Sequence, residues 1–467
     1  MTYFLGALVC ALSLAGLTGC ATYVARPLPQ AVSLANDVRT LSVSTASMPF
    51  RALSSHQFDP SDGLDIDEVA MLAVARNPQL KVARDSLGLT RAQAFAAGLL
   101  PDPTLAMSSD HPSNGAVGNT SALNLNLGFD VGSLLARSSR TAAAGAEVDR
   151  VNLDLLWQEW QVVSQSRLLF TRLRSQDRLL AVLQRSRDLF LAMATRSHQA
   201  LLAGNVTLDT ATGDLAALQA VERQINELQR MQLQDMLALN GLLGLAADVR
   251  LDLVGDPEPA TQDLPALRAG VTERLARRPD LLALQAGYRS QEATYRGAVL
   301  AQFPALNVGV TRARDTSGLY TLGFGLSLSL PILNANRGNI AFEQATRTKL
   351  FDEYQQRLDA AHAEVDAALV NIPLLQAQRA RTNAGAAELG RLAQRADQAF
   401  RDGNLTAGDR TRMTTAWTDK QVEALQLREA LMEQDIALQT LLGLELARPL
   451  DPSLAPSPKP SETETPR

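Results

Sequence analysis

The sequence is poor in the residues that build disulfides, metal clusters and aromatic cores. Its 467 residues include two cysteines, both within the first 20 positions, and four scattered histidines. The body of the protein therefore has no disulfide and no thiol metal cluster, and we expect no metal site. The formal net charge of −5 mixes both signs, so no basic surface for nucleic acid is predicted.

Patterns typical of enzymes are also missing. The sequence has no P-loop, HExxH, GxSxG or cysteine–histidine arrangement. Gly323-Phe324-Gly325 belongs to a strand-like run, and the acidic pair Asp65 and Asp67 stands where a helix would be capped. We therefore predict no catalytic residues and no cofactor.

The N-terminus has the pattern of a signal peptide. Residues 3–18 are apolar or small, and Leu17-Thr18-Gly19-Cys20 follows, which resembles a bacterial lipobox. That resemblance implies cleavage before Cys20 and a covalent lipid on it. Ala21 follows where an aspartate would signal retention in the inner membrane, so the outer membrane is favoured. The segment before the apolar run has no Lys or Arg, which leaves a different start codon open. The alternative to a lipoprotein signal is a weak transmembrane anchor with a chance cysteine.

Five short segments recur in order, at offsets of 199–203 residues. The pairs are Arg76–Leu80 and Arg277–Leu281, Leu100-Pro101 and Phe303-Pro304, Leu123–Val131 and Leu322–Leu330, Ala203–Thr207 and Asp402–Thr406, and Asn240–Leu245 and Gln439–Leu444. One unit of about 200 residues is therefore written twice.

Both copies predict the same order of elements. A helical stretch is followed by two strand-like runs, a very long helical stretch, a Gly-Asn turn and a fourth helical stretch. The residues are 65–100, 103–109, 122–131, 134–203 and 206–245 in the first copy, and 265–302, 304–312, 320–331, 335–402 and 405–445 in the second.

The second strand of each pair alternates between apolar and small or polar residues. In 122–131 the apolar positions are Leu123, Leu125, Leu127, Phe129 and Val131, and 320–331 repeats the pattern. Ten residues with one apolar face suit a strand of a membrane barrel, although a soluble half-buried sheet gives the same alternation. Four strands cannot close a barrel, and lipid tolerates no open edge. The strand count therefore predicts an oligomer.

The long helical stretches exceed what a compact domain needs. No glycine or proline occurs from Ala146 to Ala203, a run of about 90 Å if helical. Its apolar residues follow coiled-coil spacing with a drifting seam: Leu153, Leu156, Trp160, Val163, Phe170, Leu173, Leu180, Leu183 and Phe190. We expect the helix that folds back at Gly204 as its partner. We also expect Pro373 to interrupt the second long helix, with a kink there.

With its lipobox, tandem repeat, barrel-type hairpins and long paired helices, the chain resembles the lipoprotein branch of the TolC-like outer membrane factors. The resemblance covers about residues 62–446. It implies a mostly α fold with a membrane β-barrel: a homotrimer whose 12-stranded barrel takes four strands from each chain, continued by an α-helical barrel through the periplasm. Such a conduit sits in outer membrane lipid and works with a periplasmic adaptor protein and an inner-membrane efflux pump.

The family also implies where adaptor docking and gating occur. Glycine-containing turns mark the periplasmic tips of its helical hairpins, and they match Gly204-Asn205 and Gly403-Asn404 here. Six residues past the second glycine stands Asp409, which in a trimer would form a carboxylate ring at the pore aperture. Arg412 occupies the place of a second aspartate in some members, so Asp409 could instead pair with Arg412 or Arg410.

We divide the chain into a signal peptide (1–19), a lipidated N-terminal arm (20–61), a first repeat (62–250), a linker (251–264), a second repeat (265–446) and a disordered C-terminal tail (447–467). The resulting hypothesis is an outer membrane exit duct. The alternative is a lipid-anchored periplasmic adaptor or coiled-coil scaffold. The sequence does not indicate the transported substrate.

Overall fold

The computed structural model describes residues 23–113, 118–260 and 262–443. The predicted signal peptide, the lipidation site Cys20 and the predicted tail from 447 lie outside the described residues. The chain divides into one unit that ends at Ala35 and another that begins at Asn36. In the first unit, residues 23–34 contain no helix or strand. All helices and strands of the described residues lie in the second unit.

Helices and strands of the second unit follow the predicted order. They are α1 (Arg51–Ser54), α2 (Ile66–Arg76), α3 (Pro78–Gly98), β1 (Thr104–Asp110), β2 (Ala122–Asp130), α4 (Gly132–Leu202), α5 (Leu208–Leu242), α6 (Leu264–Ala269), α7 (Val271–Leu275), α8 (Pro279–Leu300), β3 (Ala305–Arg314), β4 (Tyr320–Ser329), α9 (Arg337–Arg401) and α10 (Ala407–Leu442). The series α3-β1-β2-α4-α5 recurs as α8-β3-β4-α9-α10.

The first helical stretch of each copy is not continuous, contrary to the prediction. It divides before Pro78 in the first copy, and at Gly270 and before Pro279 in the second. Proline fits the first turn of a helix but lacks the N–H that a helix interior needs. Asp65 does cap α2, as expected: it forms a reciprocal capping box with Glu68.

The residues before Pro78 and Pro279 also connect the first part of each copy to the end of its last helix. Asn77 caps α3, and its side-chain amide donates to the carbonyl of Leu242 at the end of α5, 3.0 Å away. Arg278 occupies the equivalent place and donates to the carbonyl of Leu441 at the end of α10, at 3.2 Å. Two different side chains thus make the same connection in the two halves.

The four strands form one antiparallel sheet in the order β1-β2-β3-β4. The two copies meet at its centre, where Leu127 pairs with Val310 and the Asn126 amide donates to the Thr311 hydroxyl at 2.9 Å. One face is mostly apolar and uncovered: Phe324 is 74% exposed. The same face carries Leu105, Met107, Leu123, Leu125, Leu127, Phe129, Leu306, Val308, Val310, Tyr320, Leu322, Leu326 and Leu328.

Helix α4 organises the helical part. Its 71 residues span about 106 Å, and it contacts α5, α8, α3, α10 and α2. The predicted seam is buried at Leu153, Trp160, Val163, Phe170, Leu173, Leu183 and Phe190. The return helix α5 is a partner, as expected, and the drift of the seam matches a helix with several neighbours.

Helix α9 runs unbroken through Pro373, so the predicted interruption is wrong, and the kink stays a prediction. A proline removes one backbone hydrogen bond. Before it, the buried side chains Leu369 and Ile372 pack into the cluster shared with α10, and after it the half-buried Leu375 packs against the same cluster. Packing on both sides of the proline stabilises the continuous helix. No helix among the described residues combines the length and apolarity needed to cross a membrane.

The predicted N-terminal arm is not extended throughout. From Val38 onward it forms two short 3₁₀ turns and α1. Met48, Phe50 and Leu53 are buried against α2 and α4, and the rings of Phe50 and Trp160 lie 5.1 Å apart. Apolar burial therefore fixes the arm to the start of the first repeat.

The linker 251–264 is held by side chains of α10. Arg428 is buried and donates to the carbonyl of Pro257 at 2.6 Å and to two neighbouring carboxylates. Asp435 accepts a hydrogen bond from the backbone N–H of Ala260 at 2.8 Å. A segment without regular structure is thus fastened at two points to a rigid helix.

Asp435 provides a test of this fastening. It is 4% exposed, and burial raises its pKa to about 6, although the bond from Ala260 opposes the shift. A carboxyl whose pKa is higher in the folded chain than in the unfolded chain contributes stability at low pH, and this stability is lost as the pH rises through about 6. Asp435→Asn keeps an acceptor for Ala260 and cannot ionise. We expect it to raise the free energy of unfolding by about 1–3 kcal/mol at pH 7.5 and by little at pH 4.

Thermal unfolding of both proteins at the two pH values measures this. Asp435→Ala removes the acceptor, so its free energy of unfolding at pH 7.5 should rise by less than that of Asp435→Asn. A gain that is equal at pH 4 and pH 7.5 would contradict an ionisation effect.

Candidate functional site

The two turns between long helices share one backbone design. Gly204 and Gly403 end α4 and α9 with φ of +75° and +74°, a conformation that strains any residue with a Cβ. The following residue, Asn205 or Asn404, donates its N–H to a carbonyl five positions earlier at 2.8 Å. These are the contacts of a Schellman motif. The four residues predicted as tips therefore occupy two equivalent helix ends.

A threonine caps the N-terminus of the helix that follows each turn. The Thr207 hydroxyl accepts from the N–H of Thr210 at 3.4 Å, and the Thr406 hydroxyl accepts from the N–H of Asp409 at 3.1 Å. Threonine is among the favoured N-cap residues. The shared Gly-Asn-x-Thr sequence thus specifies a turn of fixed length.

The surfaces of the two turns differ. Leu202 and Leu208 flank the first turn and are 77% and 67% exposed. The second turn is flanked by Asp402, Asp409 and Arg412 instead. The first turn therefore offers an apolar contact, and the second offers charge.

Asp409 is bound within its own chain. The Thr406 hydroxyl donates to its carboxylate at 2.6 Å, and Arg412 forms an ion pair with it. The hydrogen bond from Thr406, followed by that from Arg412, lowers the pKa of Asp409, so the carboxylate is ionised. Of the two arginines left open by the sequence, the structure pairs Arg412 with Asp409. Arg410 is buried and lies over the ring of Phe400 at 4.0 Å.

A buried carboxylate behind the turns connects the two hairpins. Asp214 on α5 is 1% exposed and accepts hydrogen bonds from Ser197 on α4 and Thr411 on α10. Sequence reasoning missed it. The signal was its place in the apolar stripe that includes Ala211 and Leu218, where an acid needs buried partners.

Among the described residues, one group of side chains has the ligand types and spacing of a cation site. His56, Asp65 and Glu68 bring ligand atoms within 4.8 Å of one another. Asp65 and Glu68 already accept the backbone N–H groups that start α2, and His56 lies 3.1 Å from the Asp65 carboxylate. The group is accounted for as a helix cap.

Comparison with known proteins identifies this arrangement. Residues 271–444 match the family model of outer membrane efflux proteins. The second half of the chain therefore carries a domain similar to the outer membrane efflux proteins. The chain is 26% identical over 264 residues to the pyoverdine export outer membrane protein OpmQ of Pseudomonas aeruginosa. That match covers 50% of this chain and 52% of OpmQ, so it spans about half the length of this curated relative.

Solved channels share the fold along most of the chain. The outer-membrane channel OprN has a TM-score of 0.72 at 17% identity, covering 90% of this chain and 98% of OprN. The Campylobacter jejuni CmeC channel has a TM-score of 0.69 at 17% identity, covering 91% and 95%. The open Neisseria gonorrhoeae MtrE channel has 0.67 at 16%, covering 91% and 98%. The chain therefore has the TolC-like fold, with four strands and long helical hairpins.

Asp214 should be needed to hold the two helical hairpins of this chain together. Asp214→Ala leaves two hydroxyls without their acceptor, and we expect a loss of about 1–3 kcal/mol in the free energy of unfolding. Asp214→Asn, which can still accept, should lose less. Thermal unfolding and limited proteolysis at the turns measure the effect.

Glu227→Ala is the matched control, since Glu227 is an exposed carboxylate on the same helix. It should change stability by less than about 0.5 kcal/mol. Equal losses in Asp214→Ala and Glu227→Ala would refute the connecting role.

Proposed function

We propose that this protein is the outer membrane exit duct of a tripartite efflux or secretion system. The observation that carries the proposal is a sheet with an uncovered apolar face, joined at one end to helical hairpins of about 100 Å. An apolar face of this size on water-exposed strands would invite aggregation, whereas lipid covers it favourably. The match of residues 271–444 to the outer membrane efflux protein family supports the same assignment.

Three chains would complete the structure. The outer edges of β1 and β4 have no partner strand in the described chain, and unpaired backbone groups are not tolerated in hydrocarbon. Pairing β4 of one chain with β1 of the next gives a closed barrel of 12 strands in a homotrimer. The helical hairpins then line a conduit through the periplasm, and a lipid on Cys20 anchors the outer membrane end.

The turns at the far end of the hairpins suit contact with other components. We assign Gly204-Asn205, with its exposed leucine neighbours, and Gly403-Asn404 to docking of a periplasmic adaptor protein. The adaptor connects the duct to an inner-membrane pump, which selects the substrate. Asp409 and Arg412 form the pore aperture, where three copies make a ring of paired charges.

Native mass spectrometry of protein released from outer membranes in mild detergent tests the assembly. We expect a mass near three mature chains, each beginning at Cys20 and carrying acyl groups. Cys20→Ser should remove the acyl mass and leave the trimer, because the strand edges do not involve the lipid. A monomer, or protein found only in the soluble or inner-membrane fraction, would overturn the duct and favour the adaptor or scaffold alternative.

Planar-bilayer conductance tests the aperture with two opposite changes. Arg412→Ala frees three carboxylates in the trimer, so cation selectivity and block by divalent cations should rise about twofold or more. Asp409→Ala frees three guanidinium groups and should lower both. Arg381→Ala removes an exposed arginine of α9 away from the turn and is the control. If the current–voltage curves of both variants equal that of the wild type, these residues are excluded from the aperture.

A further inference from the structure

Strand β3 changes character along its apolar face. Leu306, Val308 and Val310 are followed on the same face by Arg312 and Arg314, because strand residues two apart share a face. They are the two charged residues on this face of the described sheet. The strand register surrounds them with apolar side chains: Leu125 and Leu322 pair with Arg312, and Leu123 and Tyr320 pair with Arg314.

Neither guanidinium has an ion pair with any residue the structure describes. Arg314 donates to the backbone carbonyl of Ser121 at 2.7 Å, and its Nε is buried without an acceptor. Arg312 is exposed. Asp315 is next along the chain, but its carboxylate accepts the N–H groups of Ser317 and Leu319 within the turn. The two arginines therefore retain unused donors that point to one face.

The position of the pair fixes what it meets in the assembled protein. Both arginines lie at the end of the sheet where the strands turn, and the helices leave from the opposite end. In the proposed duct this is the outer end. Strand β3 lies inside the sheet, so joining chains at β1 and β4 leaves its outward face free. The pair then faces the outer leaflet at the level of Tyr320, an interfacial residue type.

A cation facing lipid is unfavourable unless it reaches water or an anion. Arginine presents a planar fork of donors that binds phosphate in a bidentate way. The Cα atoms that carry the two arginine side chains lie about 7 Å apart along the strand. Apolar side chains on both sides would contact acyl chains. Charge and surroundings thus complement a lipid with a phosphorylated headgroup.

We propose that Arg312 and Arg314 bind the phosphorylated headgroup of an outer-leaflet lipid, with the flanking leucines and Tyr320 packing on its chains. The inference rests on the proposed outer membrane duct, since it needs this face of the sheet to meet lipid. It adds a binding site on the outside of the barrel that is independent of the conduit and of both helical turns.

Native mass spectrometry with defined lipids tests the site. Delipidated trimer is titrated with lipid A carrying two phosphates, and with lipid A from which the phosphates have been removed. We expect the wild type to retain the phosphorylated lipid at least about fivefold better. The double variant Arg312→Gln/Arg314→Gln should abolish this preference. Arg381→Gln/Arg395→Gln removes two exposed arginines of α9 and should keep it.

The possible results distinguish a lipid site from a general phosphate site and from failure of the duct itself. Full retention by Arg312→Gln/Arg314→Gln, or equal loss in both double variants, overturns the proposal. Displacement of bound lipid A by millimolar inorganic phosphate would indicate a free-phosphate site and also overturns it. If the wild type is a trimer in the outer membrane but shows no preference, only the lipid site fails. If no outer membrane trimer forms, the proposed function fails first.

Discussion

The open edges of the four-stranded sheet are the constraint on which the rest depends. Strands β1 and β4 each have one side without a partner in the described chain, and the apolar face between them is uncovered. An isolated sheet of this kind has no stable place in water, because its face is apolar, or in hydrocarbon, because its edges are unpaired. Association through the edges removes both problems at once. In the proposed duct, oligomerisation is therefore part of the folding of this chain.

The helices show the same incompleteness. Val82 and Leu89 on α3 are 65% and 62% exposed and lie seven residues apart, which places them on one side of the helix. Leu233 and Leu237 on α5 are also exposed. A neighbouring chain placed by strand pairing would cover such stripes. Sheet edges and helix stripes thus favour one cyclic arrangement, in which every chain presents the same surfaces to its neighbours.

The sequence predicted what depends on periodicity and repetition, and missed what depends on contacts between distant residues. Alternation in β2 and β4 and the apolar seam of α4 indicated strand faces and helix partners that the structure confirms. The connection from Asn77 to Leu242 joins residues 165 apart, and nothing local announces it. Asp214 is an acid within an apolar stripe, a signal that the sequence analysis did not use. Its partners on α4 and α10 are brought together only by folding. The continuity of α9 at Pro373 likewise comes from packing.

Duplication explains how one turn design serves two surfaces. Position by position, Leu202 in the first copy corresponds to Arg401 in the second, and Thr210 corresponds to Asp409. The backbone N–H groups of Thr210 and Asp409 bind the capping threonine of their own turn in the same way. The turn geometry uses only the glycine, the threonine and backbone groups, so the side chains beside it can vary without cost to the turn. The first copy carries uncharged residues at these two positions, and the second carries charges. In the proposed duct, the docking surface and the charged opening lie at the same end, and the repeat provides both from one backbone.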